Sequence, residues 1–595
     1  MVSYEEVGPI AVSITDPAAR MKYENFRENI LSRDQVASLG AMHDLLKMDR
    51  PIKEILSETV RNHAPYTHVP YHQRIDEGIV RFVNNDHCLL SASATLRLER
   101  YIPKKFAALP IAQTVWYVPI GLDIWNQLKG RMPGHYSRQV YDPEKYPDGP
   151  LPPEVHWRDE EPGAIRGTFD DALSEWLQLV ERGNVTASYK QWLGMWEDRE
   201  NRTRLLAETV FVGLIDVQDR LIFNRSFTTG HKSYRARAAV ELGDSIGWEN
   251  ARHVIYATIP DLAVGPRWYS AYEAACQIMM YQLEDTAPKS SVSRTEKTDT
   301  DRRMFAQTQL LSDVEEESLI DMILHEEDTV FLGAITMFLK AGRSVRSILD
   351  AIQIASARIV LDVRDPNAFS MPQHGYEYTN TVAWFYDRFD HPHKTKLLYV
   401  AATFVNQTAT LVRDMPDYNY EKHHSAPIDS SPQAHFVETP QGLRNCSSIE
   451  ILRKLSQAMM NLDQDDSVAC TQAYLESGAE RTSLISTLAM GVAKQGNDPH
   501  NQEIGLCMLE DYERTSSMKR EELLLACARH TAGHQKYGNS LELFGRHANA
   551  MGITVRAEGK TDKNKDEIEA LLDDVDYFFE EDNTCLLYTS DAADE

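Results

Sequence analysis

The sequence predicts an all-α protein. Its three to four related helical-hairpin units would pack as a closed toroid-like bundle or a short solenoid, with long Pro-rich loops between them. Three observations carry this expectation. First, a helical hairpin that opens with a histidine occurs three times: HKSYRARAAVELGDSIGWENARHVIYATIPD from His231, HGYEYTNTVAWFYDRFDHPHKTKLLYVAATFVN from His374, and HNQEIGLCMLEDYERTSSMKREELLLACARHTAGH from His500. Internal similarity on this scale marks an array of one supersecondary unit whose apolar face needs its neighbours. Second, apolar residues recur at three- and four-residue intervals in RLLAETVFVGLIDVQDRLIF (Arg204 to Phe223), SILDAIQIASARIVL (Ser347 to Leu361) and IEILRKLSQAMMNL (Ile449 to Leu462). That is the period of an amphipathic helix. Third, strand signals are few, with no Asn-Gly hairpin and no βαβ alternation.

In chain order, residues 1–130 read as an N-terminal helical unit and 131–169 as a Pro-rich loop; seven prolines fall between 133 and 167. Residues 170–283 hold the first repeat, and 284–303 form a polar linker. The second repeat spans 304–410, and a second Pro-rich loop covers 411–445. The third repeat spans 446–550, and an acidic segment follows over 551–584. Residues 585–595 read CLLYTSDAADE, which matches the translation of a common sequencing adapter and is set aside as an artefact. A C-terminal domain beyond that interruption is one expectation, a natural acidic ending before it the other.

Within the hairpins the register is tight. Tyr256, Tyr399 and Leu525 lie 25 residues after their histidines, on the apolar face of the second helix. Asp244, Asp387 and Glu513 lie 13 residues after them, where an acid reads as a turn or N-cap residue. FLKAGRSVRSILDAIQ and YLESGAERTSLISTLA extend two copies upstream, each with a glycine ending one helix before the next begins. A fourth copy is expected from His87, in NNDHCLLSASATLRLERYIPKKFAALPIAQTVWY, with a longer loop.

Composition excludes several classes. Lys and Arg number 62 against 89 Asp and Glu, a net charge of -27 that repels phosphate backbones and anionic membrane surfaces. No run approaches the roughly 18 apolar residues of a membrane span. The scattered cysteines and the acidic N-terminus fit reduced thiols in a cytoplasm. There is no phosphate loop, no dinucleotide fingerprint, no nucleophile elbow, and no Rieske ligand pair in the chain itself.

The candidate metal ligands are His231, His374, His500, His530 and His534. A helix N-terminus disfavours imidazolium and leaves the neutral ring with a lone pair to donate. If the repeats close about an axis, the first three histidines converge; the bland alternative is that each one caps its own hairpin. In HTAGH, His530 and His534 share a helical face, with Cys527 one turn earlier as a third donor. Glu249 and His253, four apart, read as a salt bridge or a ligand pair. The Glu-x-x-His spacing of di-iron bundles occurs only at Glu421 to His424, inside a Pro-rich loop, so that pattern fails. The aromatic run WYVPIGLDIW (Trp116 to Trp125) reads as core first and as the wall of an apolar ligand pocket second.

The phrases HGYEYTNTVAWF and VAATFVN, with the Gly-His helix start at His231, resemble a bacterial all-helical module that occurs alone or beside Rieske-type ferredoxin domains and is similar to the questin-oxidase-like proteins. Residue by residue, His231 and His374 match; His500 departs, following Asp498 and Pro499. The resemblance implies an oxidoreductase-like, monooxygenase-like enzyme acting on an aromatic or lipophilic small molecule, with an electron-transfer partner protein as donor. Together with the histidines it implies iron, zinc or manganese as cofactor, and no nucleotide. The rival expectation is a non-catalytic α-helical repeat scaffold that binds a protein partner. A third is a metal-free enzyme using His and Tyr as acid–base groups. No nucleic-acid or membrane partner is expected.

Overall fold

A computed structural model describes residues 10–64, 68–72, 80–84, 87–130, 161–217, 230–263, 269–283, 307–364, 369–414, 441–496, 499–533 and 540–553. The polar linker and residues 585–595 lie outside these ranges, as do most of the two Pro-rich loops and the acidic segment after residue 553. Among the described residues the protein is helical apart from one two-stranded ribbon.

The helices fall into four sets of five. The first set is α1 (Pro17–Leu31), α2 (Gln35–Lys47), α3 (Ile52–His63), α4 (His87–Leu98) and α5 (Leu109–Gly130). The second is α6 (Phe169–Glu181), α7 (Val185–Trp196), α8 (Arg202–Ile215), α9 (His231–Ile246) and α10 (Arg252–Thr258), with α11 (Ser270–Gln282) appended. The third is α12 (Asp313–His325), α13 (Asp328–Lys340), α14 (Val345–Asp362), α15 (Ser370–Arg388) and α16 (Lys396–Asp414). A short α17 (Gln441–Arg444) precedes the fourth: α18 (Ser448–Met460), α19 (Gln464–Glu476), α20 (Arg481–Lys494), α21 (Pro499–Arg514) and α22 (Glu521–Gly533). α23 (Ser540–Ala550) ends the described chain.

Local chemistry starts three of the four sets the same way. Thr168, Ser312 and Ser447 accept the amide proton three residues on, and Asp171, Glu315 and Glu450 accept from the cap amide in return. These are capping boxes, which satisfy two orphan donors at once. Asp16 caps α1 through its carboxylate. The turns after the second helices of sets one, three and four use Asp49, Gly342 and Gly478 at φ 56, 84 and 71. The two glycines thus end α13 and α19 as the upstream phrases predict.

Packing then joins the sets. α4 lies on α9, α9 on α15, α15 on α21, and α21 on α4. Each set's third helix reaches the last helix of the next: α3 meets α10, α8 meets α16, α14 meets α22, and α20 meets α5. The four helices that carry His87, His231, His374 and His500 are therefore the innermost ones. α8 and α9 approach so closely that a Cβ on Gly213 would stand 2.8 Å from the backbone of Lys232 and Ser233, so only glycine fits there.

The inner helices depart from the amphipathic expectation. α9 carries Lys232, Arg235 and Arg237, yet all three are buried. A buried charge needs a partner, and each has one: Lys232 pairs with Asp216 at 2.6 Å, Arg235 with Asp261 at 2.8 Å, and Arg237 with Glu510 at 3.3 Å. The acids 13 residues after the histidines are not caps of the second helices either. Asp244 pairs with Arg388, Asp387 with Arg346, and Glu513 accepts from Tyr101. They sit at the ends of the inner helices, where neighbouring helices bring basic or hydroxyl groups to them. Tyr256, Tyr399 and Leu525 are buried, as are Trp116 and Tyr117; the side chains of 120–125 lie outside the described residues.

One ribbon departs from the expectation of few strand signals. β1 (His68–His72) and β2 (Val80–Asn84) pair antiparallel, with His68 opposite Asn84. Pro70 inside β1 hid this strand, because proline demotes a run to an edge. No described helix is long and apolar enough to cross a membrane.

The first and last sets also meet through a histidine pair. His43 on α2 and His547 on α23 are both buried, with Nε2 of one 3.1 Å from Nδ1 of the other. Burial pulls His43 down to about 4, with Lys47 adding to it and Asp44 opposing, and burial beside His43 pulls His547 down to about 3. The fold holds both rings neutral, whereas the unfolded chain protonates them near 6.5. Their contribution is therefore complete above pH 6.5 and lost as pH falls toward 4 and then 3. We expect acidification from pH 7 to 4.5 to cost the wild type on the order of 5 kcal/mol more than a His43→Leu, His547→Leu double variant in urea unfolding. Equal acid sensitivity of the two proteins would refute the assignment.

Candidate metal centre

The inner helices each bring one histidine to a common level. α4 opens on His87 itself, and α9 opens on His231 after Gly230, whose φ is 92. The tight turn there is closed by Tyr234: a Cβ on residue 230 would lie 2.2 Å from its hydroxyl oxygen. His500 follows Pro499, the first residue of α21, a position where proline's missing amide costs nothing. His374 differs from the sequence expectation of a helix start, because α15 begins four residues earlier at Ser370.

All four rings are buried, His374 at 1 % exposure and the others at 3–4 %. Ring centres lie 4.6 Å apart for His87 and His500, 5.0 Å for His500 and His374, 4.8 Å for His374 and His231, and 5.5 Å for His231 and His87. Across the group, His231 and His500 are 6.0 Å apart. Nε2 of His87 is 3.4 Å from Nε2 of His500. Two overlapping triads have their donor atoms within 4.8 Å of one another: His87, His231 and His500, and His374, Glu377 and His500. His231, His374 and His500 thus come together, and His87 from the looser fourth copy joins them.

The other candidate ligands stand elsewhere. His530 packs edge-on against Phe369 at 5.3 Å, with Nε2 3.4 Å from Oε1 of Gln373, and belongs to neither triad. His534 lies outside the described residues. Cys527 is buried with its Sγ 3.6 Å from the Gly505 carbonyl oxygen. His253 turns its Nε2 to the Ser57 hydroxyl at 3.2 Å, while Glu249 is exposed.

Two acids went unread in the sequence. Glu377 stands one turn after His374, and Glu503 one turn after His500. The signal was present as His-x-x-Glu in HGYE and HNQE, the reverse of the Glu-x-x-His order that di-iron bundles use. Both are buried. Burial pushes the Glu503 carboxyl up, against the pull of Arg97, Glu377, Arg237 and His500. Tyr234, at the corresponding place on α9, is raised by burial and by the nearby Glu377, Tyr378 and Glu503, so its phenol stays protonated. Its hydroxyl donates to the His374 carbonyl oxygen at 2.8 Å and ties α9 to α15.

Beyond this layer the axis is charged. Arg97 contacts Glu510 at 2.6 Å, Glu241 at 3.1 Å and Glu503 at 3.9 Å. Arg237 donates to Asn380 and reaches Glu510 at 3.3 Å. Burial works to raise the Glu510 carboxyl, but Arg97, Arg237, Arg514 and Arg100 outweigh it and hold it below its ordinary value. Asn380 and Tyr376 both donate to the Asp511 carboxylate. Four buried imidazoles and a buried carboxylate therefore stand together, with paired charges beyond them. That donor set suits a divalent first-row metal. No family model, no curated protein and no solved structure matches the chain.

Proposed function

We propose that His87, His231, His374 and His500, with Glu377, bind one metal ion, and that the protein is an oxidoreductase-like enzyme, monooxygenase-like, acting through it. One observation carries the reading. An ion bonded to imidazole nitrogens at about 2.1 Å has each ring centre about 3.2 Å away, so adjacent rings stand about 4.5 Å apart and opposite rings about 6.4 Å. The four adjacent separations of 4.6–5.5 Å and the opposite one of 6.0 Å fit that square. Glu377, one turn further along α15, offers a carboxylate donor beside His374 and His500.

Four imidazoles and a carboxylate favour iron, zinc or manganese as the ion, and the chemistry it supplies when bound is Lewis-acid or redox activation of a small ligand. The repeats are read as four five-helix units in a closed, toroid-like arrangement, in which each unit contributes one histidine. A solenoid scaffold, by contrast, would leave equivalent side chains tens of ångströms apart, and the measured separations favour the enzyme. The resemblance to questin-oxidase-like proteins adds an aromatic or lipophilic small molecule as substrate and a separate protein as electron donor. Elemental analysis of the full chain after reconstitution with iron, zinc or manganese tests the reading. About one tightly held ion per chain is expected; a content near zero for all three metals would return the histidines to a structural role.

A further inference from the structure

We propose that the outer face of α13 joins two copies of this chain, with the two α13 helices antiparallel about a two-fold axis at Gly333. α13 reads DTVFLGAITMFLK and carries no charge between Asp328 and Lys340. One side of it, with Phe331, Leu332, Ile335 and Leu339, is buried against α12, α14 and α16. The opposite side is apolar too. Val330 is 42 % exposed and Met337 63 %, and they lie two turns apart along one face. Gly333 lies between them, and a Cβ built there would meet nothing within 4 Å. A helix that is apolar all round is ordinarily covered all round.

The ends of this face say what covers it. Glu326, Glu327 and Asp328 stand exposed at its N-terminal end, and Lys340 stands exposed at its C-terminal end. Charges of these signs suit the dipole of α13 itself, but they also make the face complementary to its own copy. Gly333 is seven residues from Glu326 and seven from Lys340, about 10 Å along the axis on each side. Turning a second α13 about a two-fold at Gly333 therefore sets Lys340 of each copy beside the acids of the other. The same turn sets Met337 of each copy beside Val330 of the other. A two-fold interface needs this property, because one patch must serve both sides. A basic or an acidic partner protein would match one end of the face and oppose the other. Glycine at the crossing also lets the two axes come as close as about 8 Å, the near end of the usual range for packed helices.

Sedimentation velocity of the full chain tests the proposal. Wild type is expected to be a dimer at about 50 μM, since a small interface still gives affinity in the micromolar range. Val330→Glu with Met337→Glu sets like charges against one another at the crossing and is expected to weaken dimerisation by at least about 100-fold. Met337→Glu alone serves if the double variant loses helical content by circular dichroism. Lys340→Glu turns a carboxylate toward the acids of the other copy and is expected to weaken the dimer about 10-fold. Adding Glu326→Lys and Glu327→Lys to it reverses both ends together and is expected to return the affinity to within about threefold of wild type. A monomeric wild type would mean that something else covers α13, and the proposal fails. A dimer that survives the Val330 and Met337 changes uses another surface, which overturns it equally. If Lys340→Glu is harmless, or if the reversed charges do not rescue it, the helices do not pair antiparallel at Gly333 and the proposal is wrong.

Discussion

Replacing His374 by alanine is expected to weaken metal binding by a factor on the order of 10³, while replacing His530 leaves it unchanged. Loss of an outer partner costs about 10- to 100-fold, and a direct ligand contributes more than its support does. His374, with His500, belongs both to the four-ring group and to the Glu377 triad, and its ring centre lies 4.8 Å and 5.0 Å from two neighbours. Its loss removes one of the four imidazoles and one of the three donors of the Glu377 triad. His530 is the control because it is equally buried and only about one helix away, yet its ring faces Phe369 and Gln373. Isothermal titration with zinc decides the point. Equal losses in the two variants would mean that the effect is one of packing and not of coordination.

The second large effect is on stability. Arg97→Leu is expected to destabilise the fold by about 3–5 kcal/mol, the cost of leaving buried charge unpaired. The side chain is 13 % exposed and faces Glu241, Glu503 and Glu510 together. Removing it takes the nearest cation from Glu503 and weakens the support of two more carboxylates, because Glu241 keeps only Arg237 at 3.2 Å and Glu510 keeps Arg237 at 3.3 Å and Arg100 at 3.6 Å. Arg97→Lys keeps the charge without the planar fork and is expected to recover part of the loss, since lysine reaches one carboxylate where arginine reaches several. Urea unfolding followed by circular dichroism measures both variants. A Leu variant within about 1 kcal/mol of wild type would mean that water or relaxed side chains replace the guanidinium.

The same residues explain what the sequence made legible. The constant offsets from His231, His374 and His500 announce a repeated hairpin, because helix length and turn chemistry are local. The five-helix size of each set was harder to see. Its first two helices share only cap logic, such as Thr168, Ser312 and Ser447, and their apolar residues differ. The axial ion pairs were not legible at all. Arg97 and Glu510 are 413 residues apart, and each, read alone on its helix, looks like part of a solvated face. The two glutamates of the candidate centre were missed for a narrower reason. The familiar motif runs Glu-x-x-His along the helix, and this chain carries His-x-x-Glu. Which end of an inner helix supplies the acid depends on the direction in which that helix enters the site, and spacing alone does not tell direction.

The contact of α21 with α4 has a consequence for how the molecule can be divided. A cut between the second and third sets leaves two fragments with two of the four histidines each, and every broken surface has its complement on the other piece. Neither fragment can make the square alone. Separately expressed halves would therefore act as a coincidence detector, in which uptake of an ion reports reassembly.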